Sequence, residues 1–337
     1  YLLTKAGFSP SYAIGSGSVP GLDGNAHIGE GKIFLAEADE YRRSDSNPAP
    51  KFFDLPLRHL IITSIELDHP DLYESAEAMY EVFYRLASKI PRNGTILACA
   101  DWPLVRRLVL RSADRPIATY GQHSSAEYQI VELSEGTETT FSVKTDNGVW
   151  GPFVTKLPGR YNAANATAAL VMAHQLGASI QALQDGLGDF QGAPRRWQLL
   201  GEINGAPVID DYAHHPTAVK ELIRSARARY PKRRIVVVFQ PHTYSRTGRF
   251  LPEFADALAG ADRLILLNIY ASAREKTGYV TTDDLMKAVL AVKPTAEHRS
   301  SLLDVATYLK SSATANDLIL LVGAGDVYKI FYHLQPK

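Results

Sequence analysis

Leu60-Ile61-Ile62-Thr63, an amphipathic stretch from about Ser75 to Ile90, and then Thr95-Ile96-Leu97-Ala98 form the passage that decides the fold. The two short apolar and β-branched runs read as buried strands. Between them Met79, Val82, Phe83 and Leu86 recur at spacings of three and four, the period of a helix with one apolar face. Strand, helix, strand in that order implies a parallel sheet covered by helices. Outward toward the N-terminus, Ile33-Phe34-Leu35-Ala36 reads as a further strand of that sheet, and Tyr1 to Ala6 as helix, stopping at Gly7. In the other direction, Pro116 to Tyr120, Tyr128 to Leu133, Thr139 to Val143 and Phe153 to Leu157 are strand-like runs without an intervening helix, expected as an antiparallel patch beside the main sheet. Arg160 to Leu176 and Ile180 to Leu187 then read as two helices.

Asp189-Phe190-Gln191-Gly192-Ala193-Pro194 is rich in turn formers and poor in apolar residues, so a domain boundary is placed there. Beyond it, strands at Val208-Ile209, Ile235 to Phe239, Leu264 to Leu267 and Leu318 to Val322 alternate with helices at roughly 216–229, 251–259, 282–292, 301–311 and 326–334. The expected class is therefore α/β. A central, mostly parallel sheet with an antiparallel patch occupies residues 1–194, and a smaller doubly wound, Rossmann-like domain occupies 195–337.

A length of 337 residues suits two domains, and 45% hydrophobic with 21% charged residues is a globular composition. Lys+Arg and Asp+Glu both total 36, so no net field favours nucleic acid or an anionic membrane. No run approaches the roughly 20 apolar residues of a membrane-spanning helix. The opening Tyr1-Leu2-Leu3-Thr4-Lys5 lacks the order of a signal peptide. The single cysteine, Cys99, ends an apolar run and reads as a core thiol, which excludes a disulfide within the chain and fits a reducing cytoplasm.

Ligands in open α/β sheets bind beyond the carboxyl ends of the strands, so polar strand ends carry the functional reading. Glu37-Ala38-Asp39-Glu40 and Glu66-Leu67-Asp68-His69-Pro70-Asp71 each follow an apolar run. Alone, either fits a solvated loop; as ends of neighbouring strands, Glu37 and His69 would converge on a hard divalent ion such as Mg²⁺. Asn162 and Asn165, three apart at a helix start, share a face and offer paired carboxamides to a base edge, with helix capping the plain alternative for Asn162. Asp210-Asp211-Tyr212-Ala213-His214-His215-Pro216-Thr217 follows a strand and precedes a helix, its adjacent histidines diverging too far to share a metal. Phe239-Gln240-Pro241-His242 with Arg246 suits anion or carboxylate binding. No G-x-x-x-x-G-K-[ST] loop is present, and Gly323-Ala324-Gly325-Asp326 lacks the third glycine of a dinucleotide fingerprint, so it reads as a turn into the last helix rather than as a nicotinamide site.

Together with Gly159-x-x-Asn162-x-x-Asn165, Arg195-Arg196 and Gly323-Ala324-Gly325-Asp326-Val327-Tyr328-Lys329-Ile330, these motifs resemble, in order and over nearly the whole chain, the Mur ligases of peptidoglycan synthesis. Within that family they are most similar to the branch that joins L-alanine to UDP-N-acetylmuramate. The resemblance implies a central ATPase-type domain over 1–194 and an amino-acid-binding domain over 195–337. It also implies that Tyr1 to Gly7 is the tail of the phosphate-loop helix, and that a chain without that loop and the UDP-sugar domain is inactive alone. ATP and Mg²⁺ are the implied cofactors, UDP-N-acetylmuramate and L-alanine the substrates, and the cytoplasm the location. No nucleic-acid or membrane partner is implied, and monomer and homodimer both stay open.

By the same resemblance Glu37 and His69 are the metal ligands, Asn162 and Asn165 hold adenine, and Arg196 and Asp211 contact ATP phosphate and ribose. Tyr212, His214, His242 and Arg246 line the amino-acid side, with Arg246 pairing with the alanine carboxylate; His69, Glu37 and His214 are the implied catalytic residues. The chain departs from the family at Tyr161, usually His, and at Ser64, commonly Asn. Tyr84 stands where several relatives carry a modified lysine, which the alanine-adding branch lacks. The insertion Tyr41 to Lys51, with Val19-Pro20-Gly21, resembles the branch recycling murein tripeptide, which is the runner-up; a nucleotide-binding chain without turnover is the non-enzymatic alternative. The chemistry explains the residue types. A carboxylate repels an amine and has no leaving group, so ATP must first convert it to an acyl phosphate, and clustered phosphate charge must be neutralised throughout.

Overall fold

The computed structural model describes residues 1–44, 46–272 and 275–334, and the chain forms two compact units, one ending at Gln191 and the other beginning at Gly192. The first unit opens with α1 (Leu2–Lys5), followed by β1 (Ser11–Ala13), β2 (Ala26–His27) and β3 (Phe34–Ala36), which make a small sheet of their own, and by the antiparallel pair β4 (Arg42–Ser44) and β5 (Asn47–Pro50). Next come β6 (His59–Ile62), α2 (Ala76–Ala87), β7 (Thr95–Cys99), α3 (Pro103–Arg111) and β8 (Ile117–Gly121), then β9 (Tyr128–Glu135), β10 (Thr139–Thr145) and β11 (Gly148–Thr155), with α4 (Arg160–Gln175) and α5 (Ile180–Asp189) closing the unit. Strands β6 to β9 pair in parallel and β9 to β11 antiparallel, so the antiparallel strands extend the main sheet itself.

The opening passage folds as its period dictates. Ser75 caps α2 by accepting from the Ala78 amide at 3.2 Å, Met79 is buried, and Tyr80, Leu86 and Ala87 pack in one core cluster with Ile62, Ile96 and Ala98. Cys99 is buried, and that burial pushes its thiol up to about 11, which makes it a core residue rather than a nucleophile. The structure adds several short elements to the sequence reading, and α3 and β3 show why it differs. Helix α3 carries Arg106, Arg107 and Arg111 in nine residues, which masks its apolar face; Pro103 starts it, and Arg107 and Arg111 pair with Glu77 and Glu81 of α2. The run Ile33 to Ala36 does not join the main sheet: β3 pairs in parallel with β1, so Glu37 and His69 do not end neighbouring strands. Both the strand length and its apolar character suited either sheet, and only the pairing partner decides.

The second unit contains β12 (Gln198–Ile203), β13 (Ala206–Asp211), α6 (Pro216–Arg229), β14 (Arg234–Phe239), α7 (Tyr244–Arg249), α8 (Leu251–Ala259), β15 (Arg263–Leu266), α9 (Thr282–Val292), β16 (Glu297–His298), α10 (Leu302–Ser312), β17 (Asp317–Val322) and α11 (Lys329–Leu334). Its sheet runs β12-β13-β17-β14-β15-β16, parallel throughout except for the edge hairpin β12–β13. Strand β17, last in sequence, lies between β13 and β14 and is buried along its whole length, as a central strand covered on both faces must be. The order places the carboxyl ends of β13, β17 and β14 side by side. No helix among the described residues is long and apolar enough to cross a membrane.

Candidate functional site

In the first unit the polar residues gather where the segment after β6 meets the one after β3. His69 is 7% exposed and adopts a left-handed backbone (φ 52°), rare for a residue with a Cβ. Its amide donates to Asp68 Oδ1 at 2.7 Å, and its Nε2 lies 2.9 Å from Glu40 Oε1 and 3.7 Å from Asp68 Oδ2. The Tyr41 ring lies 4.3 Å away, centroid to centroid. The Tyr73 hydroxyl donates to the Glu40 carbonyl at 2.7 Å; burial first, then the charges of Glu40 and Asp39, push that phenol up to about 12. Glu37, by contrast, is exposed and accepts from the Gly15 amide at 2.7 Å. Glu40 is thus the acid placed on His69. Its membership of the Glu37–Glu40 run was visible in sequence, but nothing local selects one acid of the run over another.

Helix α4 starts at Gly159, whose φ of 100° a residue with a Cβ rarely adopts. One turn in, Asn162 Nδ2 donates to the Pro158 carbonyl at 2.7 Å, while Asn165 on the same face is exposed.

In the second unit, β13 delivers Asp210 and Asp211 to opposite faces of the sheet. Asp210 Oδ2 accepts from Arg195 Nε at 3.0 Å, its Oδ1 is buried without a partner, and burial, partly offset by Arg195, pushes the carboxyl up to about 6. Asp211 is also pushed up by burial, against the opposing pull of the Trp197 and Ala213 amides, which each donate to it at 2.8 Å. His214 Nδ1 lies 2.8 Å from the Tyr212 carbonyl; a carbonyl only accepts, so Nδ1 carries the proton. His215 turns away and caps α6, Nδ1 accepting from the Thr217 amide at 3.4 Å.

Beyond β14, the Arg246 guanidinium is buried, with Nη1 3.2 Å from His242 Nδ1. Rings link Tyr212 to His214 (5.2 Å), His214 to His242 (5.9 Å) and His242 to Tyr270 (5.8 Å, stacked with nearly parallel planes). Gln240 reaches across, donating to Asp326 Oδ1 at 2.9 Å and accepting from the Val327 amide at 3.0 Å. Gly325 lets that turn close, since a Cβ there would lie 2.4 Å from Gln240 Oε1. Tyr212, His214, His242 and Arg246 are thus brought together, and Arg196 is exposed with its guanidinium 5.2 Å from the Tyr212 ring. Gln240 and Asp326, both within motifs visible in the sequence, join them, as does Tyr270, whose segment carries no such sign.

Residues 27–173 match the Mur ligase middle domain and residues 195–325 the Mur ligase, glutamate ligase domain. A UDP-N-acetylmuramate–L-alanine ligase of Desulfitobacterium hafniense is 35% identical over 330 residues, covering 97% of this chain and 71% of the relative. The chain belongs to the Mur ligase family. A ligase of the same name from Kineococcus radiotolerans is 39% identical, with 96% of this chain and 68% of that protein covered. Among solved structures, the fold of this Mur ligase is similar to that of the UDP-N-acetylmuramate-alanine ligase from Thermotoga maritima (TM-score 0.76, 24% identity, 99% of this chain and 70% of that one). A murein peptide ligase of Psychrobacter arcticus shares the fold at TM-score 0.68 and 23% identity, over 99% of this chain and 72% of that one.

As a Mur ligase, the chain raises the question of a magnesium ion. Among the described residues no group of three or more His, Cys, Asp or Glu forms a cage able to hold a metal. Mg²⁺ does not require one: it keeps several waters and takes one or two carboxylates besides substrate phosphates. The oxygen donors of the Glu37–Glu40 segment fit that demand.

Proposed function

We propose that this Mur ligase joins L-alanine to UDP-N-acetylmuramate, with ATP converted to ADP and phosphate by way of an acyl phosphate. The observation that carries the reading is the 35% identity sustained over 97% of the chain with a ligase of that name. The same name recurs among relatives up to 39% identical.

In this reading Glu37 and His69 would hold Mg²⁺, which when bound would neutralise phosphate charge. Glu40 beside His69 Nε2 orients the imidazole. Asn162 and Asn165 would read adenine, and Arg196 and Asp211 would meet the phosphate and ribose of ATP. Arg246 would anchor the L-alanine carboxylate, since a guanidinium matches a carboxylate in bidentate geometry. The Tyr212 carbonyl keeps the proton of His214 on Nδ1 and so fixes the tautomer of the imidazole. The ring chain from Tyr212 to Tyr270 forms the apolar wall for a methyl group.

Phosphate release measured with ATP on the full-length ligase should require UDP-N-acetylmuramate and L-alanine together. If murein tripeptide were the better second substrate, the tripeptide-recycling activity would replace this reading. ATP binding without turnover under any substrate pair would reduce it to nucleotide binding alone.

A further inference from the structure

Arg196, exposed and given above to the ATP phosphates, stands between two residues held in left-handed backbone, Arg195 (φ 59°) and Trp197 (φ 51°). Such conformations are costly for residues with a Cβ and persist only where the surroundings enforce them. Here each is pinned to one carboxylate of the Asp210-Asp211 pair. Arg195 Nε donates to Asp210 Oδ2 at 3.0 Å, and the Trp197 amide donates to Asp211 Oδ2 at 2.8 Å. Arg195 is further tied at both ends of its backbone, its amide donating to Gln198 Oε1 at 2.9 Å and its carbonyl accepting from the Tyr212 amide at 2.7 Å. The rest of its guanidinium crosses to the turn after β17, donating to the Gly323 carbonyl at 2.6 Å and the Ala324 carbonyl at 3.3 Å, between the rings of Tyr212 (5.0 Å) and Tyr328 (4.7 Å). A lysine has neither the planar fork nor the reach to make these contacts at once.

We infer that Arg195, held by Asp210, is a positioning residue: it fixes the backbone on which Arg196 is presented to the nucleotide. The inference rests on the assignment of Arg196 to ATP made above. Adjacent arginines then divide the work, the inner one locking the strand ends together and the outer one meeting the ligand. A misplacement of about 1 Å at a phosphate contact suffices for a large loss, of order a hundredfold in favourable cases.

The test is a double-mutant cycle on the ATP dependence of phosphate release by the full-length ligase, with Arg195→Ala and Arg196→Ala made singly and together. Arg196→Ala is expected to raise the KM for ATP by about tenfold, as loss of a charged contact does. Arg195→Ala should raise it by about fivefold or more in the unmutated protein but by less than about twofold once Arg196 is gone, because a positioning residue has nothing left to position. Arg195→Lys, which keeps the charge, should behave like Arg195→Ala, and it serves if the alanine variant fails to fold. Amide hydrogen exchange gives a reading independent of turnover: the Trp197 and Tyr212 amides should exchange faster in either variant, while that of Leu320 in β17 is unchanged. Independent, multiplying effects of the two substitutions would overturn the inference, as would full rescue by lysine. An Arg196→Ala variant with unaltered ATP dependence would overturn the nucleotide assignment on which it rests, whatever the exchange rates show.

Discussion

Replacing Asp210 by Asn tests the electrostatics of the β13 end directly. Burial lifts this carboxyl from its ordinary value near 3.8 to about 6 despite the Arg195 guanidinium. Between those two values the folded protein holds a proton that the unfolded chain has released, so stability falls as pH rises through the window and reaches its full deficit above about pH 6. A difference of about two pH units is worth about 3 kcal/mol at about 1.4 kcal/mol each. Asn at this position is nearly isosteric and does not titrate. The stability of Asp210→Asn relative to the unmutated protein should therefore improve by about 2 kcal/mol between pH 4 and pH 7.5, the remainder of the change falling below pH 4, other carboxylates titrating alike in both. Urea unfolding at the two pH values measures it. Trp102→Phe and Trp150→Phe would leave Trp197, buried and within the second unit, as the only tryptophan reporting. A relative stability that stays constant within about 0.5 kcal/mol across that range would refute the claim that burial outweighs the arginine.

In the full-length protein, Arg246→Ala should raise the KM for L-alanine by at least about tenfold and leave that for ATP nearly unchanged, as losing a buried charged anchor costs on the order of 2–5 kcal/mol; steady-state kinetics against each substrate in turn decides it. In the full-length protein, His69→Ala and His69→Asn should both lower turnover and shift its magnesium dependence, and because Asn tolerates the left-handed backbone, unimpaired rates in His69→Asn would make the imidazole merely structural. Gly325→Ala should destabilise the second unit by about 1–3 kcal/mol, since its Cβ would sit 2.4 Å from Gln240 Oε1 and 2.6 Å from the Tyr270 ring; denaturant melts of the two proteins give the difference.

The sequence by itself determined the elements that have a period or a length to announce them. The passage from Leu60 to Ala98 and the alternation from Val208 onward carry their burial pattern in the spacing of apolar residues, so strand, crossover and helix follow from backbone geometry alone. It also determined the motif order that marks a Mur ligase. Pairing partners were decided only by the tertiary structure. A three-residue strand such as β3 satisfies its backbone hydrogen bonds equally well beside β1 or in the main sheet, and packing around it selects β1. With that choice Glu37 and His69 do not end neighbouring strands, and it is Glu40 that lies against the imidazole. The same holds for Arg195, Gln240 and Asp326: their partners are more than 80 residues away along the chain at Gly323, Asp326 and Gln240, and no local pattern encodes a contact of that separation. It exists because β17, last in sequence, inserts between β13 and β14 and brings three strand ends together.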